Sequence, residues 1–515
     1  MKDEISTDPP VIKFAEKFWL FLLLVFVFLT RIYFFDVGFG RPDAWRVGVT
    51  GKLLVLTGTY VPSRPPGFPL TELIAALGFA IFRGSNATWI FTNTLTCLVF
   101  CVSVAGVWAL ARKWSAPFPF ALATVYAFAP LNWVYSVETI DYLWLTSFLV
   151  LSVLAIESGQ KPRPIPAGIL FGLATSARFF AGFQLIPLLI LILTRQGTIK
   201  DAIKFFVSFA IVTLGFYSLV FSHVKSWSEY VDWFHELNRV ASALAKIEGG
   251  TLAKRFLIPG SGLFGPFASI GFVIACLIGL PNFIRKIHTR DRGTVASSLL
   301  ILFIIVPYLW HLHPNYMIPA TGFFLILLAC SVDLKIFMLV GALIIAANFP
   351  LWQANVEGLK AIDPGMSNPK IKAYAQALAP YQNETVFNET RVRSMIFGSV
   401  TQFLENPLSE NWVIMANLRL PTIQFLIPDI REIDLPLSDG GSINVWTSGS
   451  GGAKFRYMMS PNQTERIINS GYHAIYLPGM ESTYYATYGV PINEVKGVEV
   501  LYENSEGNEI NTQTE

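Results

Sequence analysis

Charge is what this chain has least of. Asp, Glu, Lys and Arg make up only 14% of its 515 residues, against 53% that are hydrophobic. Soluble globular chains carry about 25% charged residues. That shortfall, with a mean hydropathy of +0.49, excludes an ordinary soluble protein and predicts a polytopic membrane protein. Cysteine is also scarce. Cys97, Cys101, Cys276 and Cys330 all sit in apolar segments, which excludes a disulfide framework or a cysteine zinc site and leaves small core residues. There is no internal repeat and no low-complexity tract. A cleavable leader is not expected either. The first apolar run is too long for one and lacks a small-residue cleavage site, so it reads as the first anchor. The net charge of +3 says little by itself.

Long apolar runs are what the chain does have. A span needs about 20 apolar residues. Candidates are 18–36, 87–111, 116–136, 142–157, 165–180, 182–194, 204–222, 262–283, 294–310, 317–332 and 335–351, about eleven in all, with 165–194 readable as one broken helix. Lys and Arg in short loops set the orientation. With a cytoplasmic N-terminus, Arg112, Lys113, Lys161, Arg163, Arg195, Lys200, Lys204, Arg285, Lys286, Arg290 and Arg292 all fall inside. This alternation holds only if residues 40–86 form one long external loop. The sequons at Asn86, Asn383, Asn388 and Asn462 then fall outside, as does a second amphipathic loop near 223–261.

Composition turns polar after Trp352. The expected division is a membrane domain over 1–352 and an extracytoplasmic α/β domain over 353–515. Strand-like runs WVIMANL, INVW, HAIYLP and VEVLY alternate with helical stretches, and Ser460-Pro461 opens one helix. The tail after Tyr502 reads as disordered.

Within 40–86, two amphipathic pieces flank the rigid turn Ser63-Arg64-Pro65-Pro66-Gly67. The loop holds Arg41, Arg46, Lys52, Arg64 and Arg83 against Asp43 and Glu72. That basic excess fits an interfacial helix reaching lipid phosphates, or a site for a phosphate-bearing ligand. Asp43 is placed to be a general base at the membrane surface, or a helix N-cap. Asp36 is a rival at the end of the first span. Glu138 and Asp141 lie about one turn apart at a span mouth, as functional acids or as markers of the water boundary. Arg178 falls among apolar residues and wants an anionic partner, a phosphate or Asp141, unless it snorkels. His311, His313 and Tyr316 lie at another span mouth, and two histidines without a third ligand do not make a metal site.

These residues together resemble the GT-C superfamily of membrane glycosyltransferases, with a likeness to the protein O-mannosyltransferases and bacterial aminoarabinose transferases. Four stretches carry it: the D-A-W-R start at Asp43, the tract TGTYVPSRPPGFPLTELIAAL, the run from Tyr135 to Asp141, and Tyr316-Met317-Ile318-Pro319. The chain departs in having Ala44 where mannosyltransferases often have a second acid, which leaves the acceptor open.

The resemblance implies transfer of a hexose or related, mannose-like sugar from a dolichyl- or undecaprenyl-phosphate donor. The acceptor would be a protein, lipid or glycan at the outer face of the plasma membrane or endoplasmic reticulum. Asp43 would be the base. Arg64, Arg178 and Arg255 would bind the donor phosphate, with Asp141, Glu138, Arg46, His313 and Tyr316 in support. Direct displacement would invert the anomeric centre. No cofactor is obligatory, though a divalent cation is compatible with the chemistry, and no nucleic acid is involved. Two other classes compete. A transporter or flippase of lipid-linked sugars would move its substrate without a covalent product, and a receptor or scaffold would work through 353–515 alone.

Overall fold

The computed structural model describes residues 10–36, 38–40, 42–64, 66–224, 226–228, 230–231, 235, 263–311, 314–348, 412–416, 420–427, 431–447, 454–456, 458–476, 484, 488, 490–503 and 510–513. Arg41, Arg255, His313, the sequons at Asn383 and Asn388, most of the 223–261 loop and the expected domain boundary near 352 lie outside the described residues.

The helices of the apolar part are α1 (Pro10–Leu29), α2 (Pro42–Thr57), α3 (Pro69–Phe82), α4 (Asn86–Lys113), α5 (Pro119–Ala127), α6 (Pro130–Tyr135), α7 (Asp141–Glu157), α8 (Pro164–Ala177), α9 (Leu185–Thr194), α10 (Ile199–His223), α11 (Pro266–His288), α12 (Arg292–His311), α13 (Thr321–Ser331) and α14 (Leu334–Ala346). Over the described residues the predicted spans fall largely on helix. Among the described residues five stretches are long and apolar enough to cross a membrane unaided: Ala15–Phe34, Asn86–Lys113, Ile199–His223, Ala268–His288 and Arg292–Leu309. The others are shorter or broken. Pro130 divides the predicted span 116–136 into α5 and α6, because proline removes a backbone donor and favours a helix start. The predicted pair 165–194 is one broken element: α8, an extended Arg178, a 3-10 turn at Phe179–Gln184, then α9.

α7 is the buried axis of this integral membrane protein, and it carries an acid at each end. The peripheral helices show the opposite pattern. α1, α10 and α11 leave Phe21, Phe26, Ile211, Leu214, Leu277 and Ile278 exposed, as a lipid-facing surface requires. α2 and α3 form the two expected pieces around the Pro-Pro turn. They cross closely at Gly51, where an added Cβ would strike the Ala75–Ala76 backbone.

The C-terminal part folds as a seven-stranded sheet in the order β2-β3-β4-β1-β5-β6-β7. Its strands are β1 (Trp412–Met415), β2 (Arg431–Pro436), β3 (Ser442–Thr447), β4 (Lys454–Arg456), β5 (His473–Tyr476), β6 (Val498–Glu503) and β7 (Ile510–Gln513). The neighbours among β4, β1, β5 and β6 are parallel and the outer pairs antiparallel. Side chains alternate between faces. Val413 and Met415 meet Ile467 of α16 (Pro461–Asn469), while Ile414 meets Leu420 and Ile423 of α15 (Leu420–Leu426). Ser460 caps α16 in a capping box with Gln463, and Pro461 takes the first turn, as the sequence predicts. The tail is a correction. Within its described residues it is strand: β6 continues to Glu503, and β7 pairs antiparallel with it.

Candidate active site at the head of α7

Asp141 is the first residue of α7, and its side chain is fully buried. The positive end of the helix dipole favours an acid there, but burial makes an unpaired carboxylate costly. Two distant arginines supply the cations. The break after α8 turns Arg178 inward, and its Nη1 pairs with Asp141 Oδ2. Arg64, from the Pro-Pro turn, places Nη2 at 3.2 Å from Asp141 Oδ1. The other prong of the Arg64 fork pairs with Asp43 Oδ2. Asp43 also lies 3.3 Å from Nη1 of Arg46, one turn along α2.

The result is a chain of alternating charge: Asp43, Arg64, Asp141, Arg178. Side-chain exposure along it runs 39%, 13%, 0% and 5%, so the chain opens to solvent at Asp43. Aromatic rings wall the cations. Arg64 lies 4.5 Å from the Phe68 centroid, and Arg178 lies 3.9 Å from Tyr142 and 4.6 Å from Tyr316. Arg178 Nη2 donates to the Tyr142 hydroxyl at 3.0 Å.

The turn that presents Arg64 is fastened by Glu72. This buried carboxylate accepts from Ser63 N (2.8 Å), Ser63 Oγ (2.6 Å), Phe68 N (3.2 Å) and the Tyr60 hydroxyl. Burial first, and the Glu72 carboxylate second, push the Tyr60 phenol well above its ordinary range, so it stays a donor. Gly67 completes the turn with φ +91°, donating to the Arg64 carbonyl at 2.7 Å and accepting from the Tyr217 hydroxyl at 3.2 Å.

Beside Arg178 lies a small cavity of about 20 Å³, between α7, the 3-10 turn at Phe179–Gln184, α12 and the 3-10 turn at Pro314–Ala320. Tyr142, Phe180, Gln184 and Tyr316 line it with Arg178, and Leu145, Leu149 and Ile304 make it apolar. The lining thus sets a guanidinium beside apolar walls, around space for about one water.

The structure therefore brings Asp43, Arg46, Arg64, Asp141, Arg178 and Tyr316 together. Asp43 is the second residue of α2, inside the helix rather than capping it. Arg178 reaches Asp141 instead of snorkelling. Glu138 is buried against Gly40, where φ is +123° and an added Cβ would come 2.8 Å from Glu138 Cγ. Asp36 accepts from Trp89 Nε1 at 3.3 Å. Arg255 and His313 are outside the described residues, among which no group of three or more His, Cys, Asp or Glu is placed to hold a metal. Sequence reasoning missed Glu72, Phe68 and Tyr142. Glu72 had a signal, since an acid inside the apolar run PLTELIAAL needs a partner nearby.

Comparison with known proteins bears on the fold and the family. The model of glycosyltransferase family 87 matches residues 65–307. No curated protein sequence matches the chain. Among solved structures, ArnT from Cupriavidus metallidurans in the apo state is similar with a TM-score of 0.52 at 13% identity, covering 80% of this chain and 85% of ArnT. The same protein bound to undecaprenyl phosphate gives a TM-score of 0.52 at 13% identity, covering 79% and 84%. An oligosaccharyltransferase from Archaeoglobus fulgidus in the apo form gives a TM-score of 0.45 at 13% identity, covering 80% of this chain and 64% of its own. The fold is thus that of the GT-C membrane glycosyltransferases, as the resemblance implied, and the family match supports a glycosyltransferase.

Proposed function

We propose that this chain transfers a hexose or related sugar from a polyprenyl-phosphate donor to a hydroxyl of a glycan, lipid or protein acceptor. The observation that carries the proposal is that one guanidinium, that of Arg64, spans an exposed acid and a buried one. Buried Asp141 fixes Arg64 and Arg178 without being available to substrate. Exposed Asp43 and Arg46 face the solvent side. A donor phosphate entering here competes with Asp43 for Arg64, in the bidentate geometry that guanidinium gives to phosphate. Asp43 then gives up one of its two cations and keeps Arg46. The donor thereby readies the carboxylate to take the acceptor's proton while the acceptor oxygen attacks the anomeric carbon. The phosphate leaves with both electrons of the glycosidic C–O bond, and its charge falls on the arginines. A single displacement of this kind inverts the anomeric centre.

Apolar residues Leu145, Leu149 and Ile304 stand beside Arg178 as a lipid-linked phosphate would require, and the undecaprenyl phosphate in ArnT makes that ligand class the first to try. Charge supports a sidedness: Arg195 and Arg292 lie with Glu157 at the opposite end of α7, the end that the positive-inside rule favours in the cytoplasm. On this reading the site and the C-terminal domain face outward, at the plasma membrane or in the endoplasmic reticulum lumen.

The test is transfer from radiolabelled polyprenyl-phosphate sugars in liposomes. Asp43→Asn is expected to lower turnover about 10²- to 10⁴-fold while the donor still binds. Undiminished turnover removes Asp43 as the base. Absence of transfer from every polyprenyl donor, with lipid-linked sugar moving across the bilayer instead, overturns the function.

A further inference from the structure

Helix α15 is chemically two-faced. Leu420 and Ile423 pack on the sheet against Ile414, Phe455 and Ile475. Phe425 turns the other way and joins the core of the membrane domain, with 3% of its surface exposed. Its ring lies 4.8 Å from Phe39, 5.7 Å from Trp45, 5.9 Å from Phe79 and 6.3 Å from Trp89, centroid to centroid. A polar contact sits beside this aromatic box. Lys52 of α2 is 3% exposed, and its Nζ donates to the carbonyls of Gln424 (2.9 Å), Phe425 (3.1 Å) and Ile427. The carbonyls at the end of a helix lack intrahelical partners and carry its negative dipole end, so they are a natural seat for an ammonium. A lysine buried this deeply without such acceptors would be strongly unfavourable.

Trp45 and Lys52 are seven residues apart, which puts them on one face of α2. Asp43 and Arg46 pair along a different line of the same helix. The C-terminal domain therefore grips α2 at two points, the nearer one two residues from Asp43.

We infer that this domain sets the position of Asp43, with Phe425 and Lys52 as positioning residues. The seated domain holds α2 where the Asp43 carboxylate meets Arg64, and an unseated domain lets that helix drift. The inference rests on the proposed role of Asp43 for its catalytic arm only. The structural arm stands apart from any reaction.

Both arms use the full chain in liposomes. In Phe425→Ala, amide hydrogen exchange over 42–57 is expected to rise about ten-fold while exchange over 141–157 stays put. Turnover should fall about 10- to 100-fold with donor KM within about two-fold, because misplacing a reacting group acts on the chemical step. Phe425→Trp should restore most of both. Lys52→Met keeps the apolar stem and removes the donors, and should show the same selective rise to a smaller degree. Unchanged exchange over 42–57 overturns the inference. So does a rise spread evenly over the membrane helices, which would make the seat a general support of the fold. If the wild type transfers no sugar, the exchange arm still decides whether the domain fixes α2.

Discussion

The two ends of α7 carry the same chemistry and put it to different use. Each has a fully buried carboxylate clasped by two arginines: Asp141 by Arg64 and Arg178, Glu157 by Arg195 and Arg292. At the Glu157 end Arg292 spends its donors on fixed acceptors, while Arg195 Nε stands 3.8 Å from Glu157 Oε2. Arg292 Nε lies 3.0 Å from both Glu157 oxygens and Nη2 2.6 Å from one, with further bonds to Thr194 Oγ1 and the Leu191 carbonyl at 3.2 Å. Arg195 Nη2 donates to the Gly159 carbonyl at 2.8 Å. Backbone carbonyls cannot be exchanged for a ligand without undoing a helix end. At the Asp141 end the second partner of Arg64 is Asp43, a side chain 39% exposed on a separate helix. An incoming anion can replace it. An acid–arginine cluster is a fastener when its acceptors are built in, and a candidate site when one of them is free to move.

Glu157→Gln tests the fastener half and has the largest expected effect. It should lower stability by about 2–4 kcal/mol, short of the full buried-pair figure because both arginines reach solvent. Thermal unfolding in detergent measures this. Transfer per folded molecule should stay within about two-fold. Lost transfer at unchanged stability would erase the distinction between the ends. Arg64→Lys sharpens the other half. A single ammonium cannot span Asp43 and Asp141 as the planar fork does, so kcat/KM should fall about 10- to 100-fold. Arg292→Lys should leave kcat/KM alone. Equal kcat/KM losses from the two lysine variants would count against the site.

What the sequence made legible, and what it hid, follows from the range of each interaction. Spans could be read because hydrophobic length is local, but 116–136 read as one span and the break at Pro130 was missed. β1, β3, β5 and β6 could be read from their apolar runs. β2 (REIDLP), β4 (KFR) and β7 (INTQ) could not, because β2 and β7 are polar edges and β4 has only three residues. Asp43, Arg64, Asp141 and Arg178 stood out singly as charges beside apolar segments. Their order along one ion chain depends on folding residues 43, 64, 141 and 178 together, which no periodicity encodes. Arg31 gave no sign of its full burial, where it donates to Ser136 Oγ at 3.0 Å and lies against the rings of Phe100, Phe128 and Trp133. Phe425 was one phenylalanine among 42, and its neighbours lie more than 300 residues away in sequence.

Glu72→Gln probes the support beneath Arg64. An amide offers one acceptor oxygen where the carboxylate offers two, and it turns a donor toward either the Ser63 or the Phe68 and Tyr60 groups. Stability should drop by about 1–2 kcal/mol, and turnover about 3- to 10-fold as the turn loosens. Both losses should be smaller than those of Glu157→Gln and Arg64→Lys respectively. A turnover loss matching that of Arg64→Lys would make Glu72 part of the site itself.

The last prediction uses an acid–arginine pair at the surface. In the C-terminal domain Arg466 Nε lies 2.6 Å from Asp439 Oδ2, with side chains 36% and 47% exposed. The Arg466 hydrogen bond first, and the Gly441 N–H next, hold the Asp439 carboxyl down to about 2. The folded value is below the unfolded one, so the pair's contribution is complete above the ordinary aspartate value of 3.8 and is lost as pH falls toward about 2. Water screens so open a pair, and Asp439→Asn should shift the neutral-pH unfolding midpoint by no more than about 1 °C. Its signature is a flatter acid limb between pH 4 and pH 2 in unfolding scans of the full chain, weaker still at high salt. A neutral-pH loss as large as that of Glu157→Gln would mean that burial is not what separates the ends of α7 from the surface, and the reading of both clusters would have to be rebuilt on geometry alone.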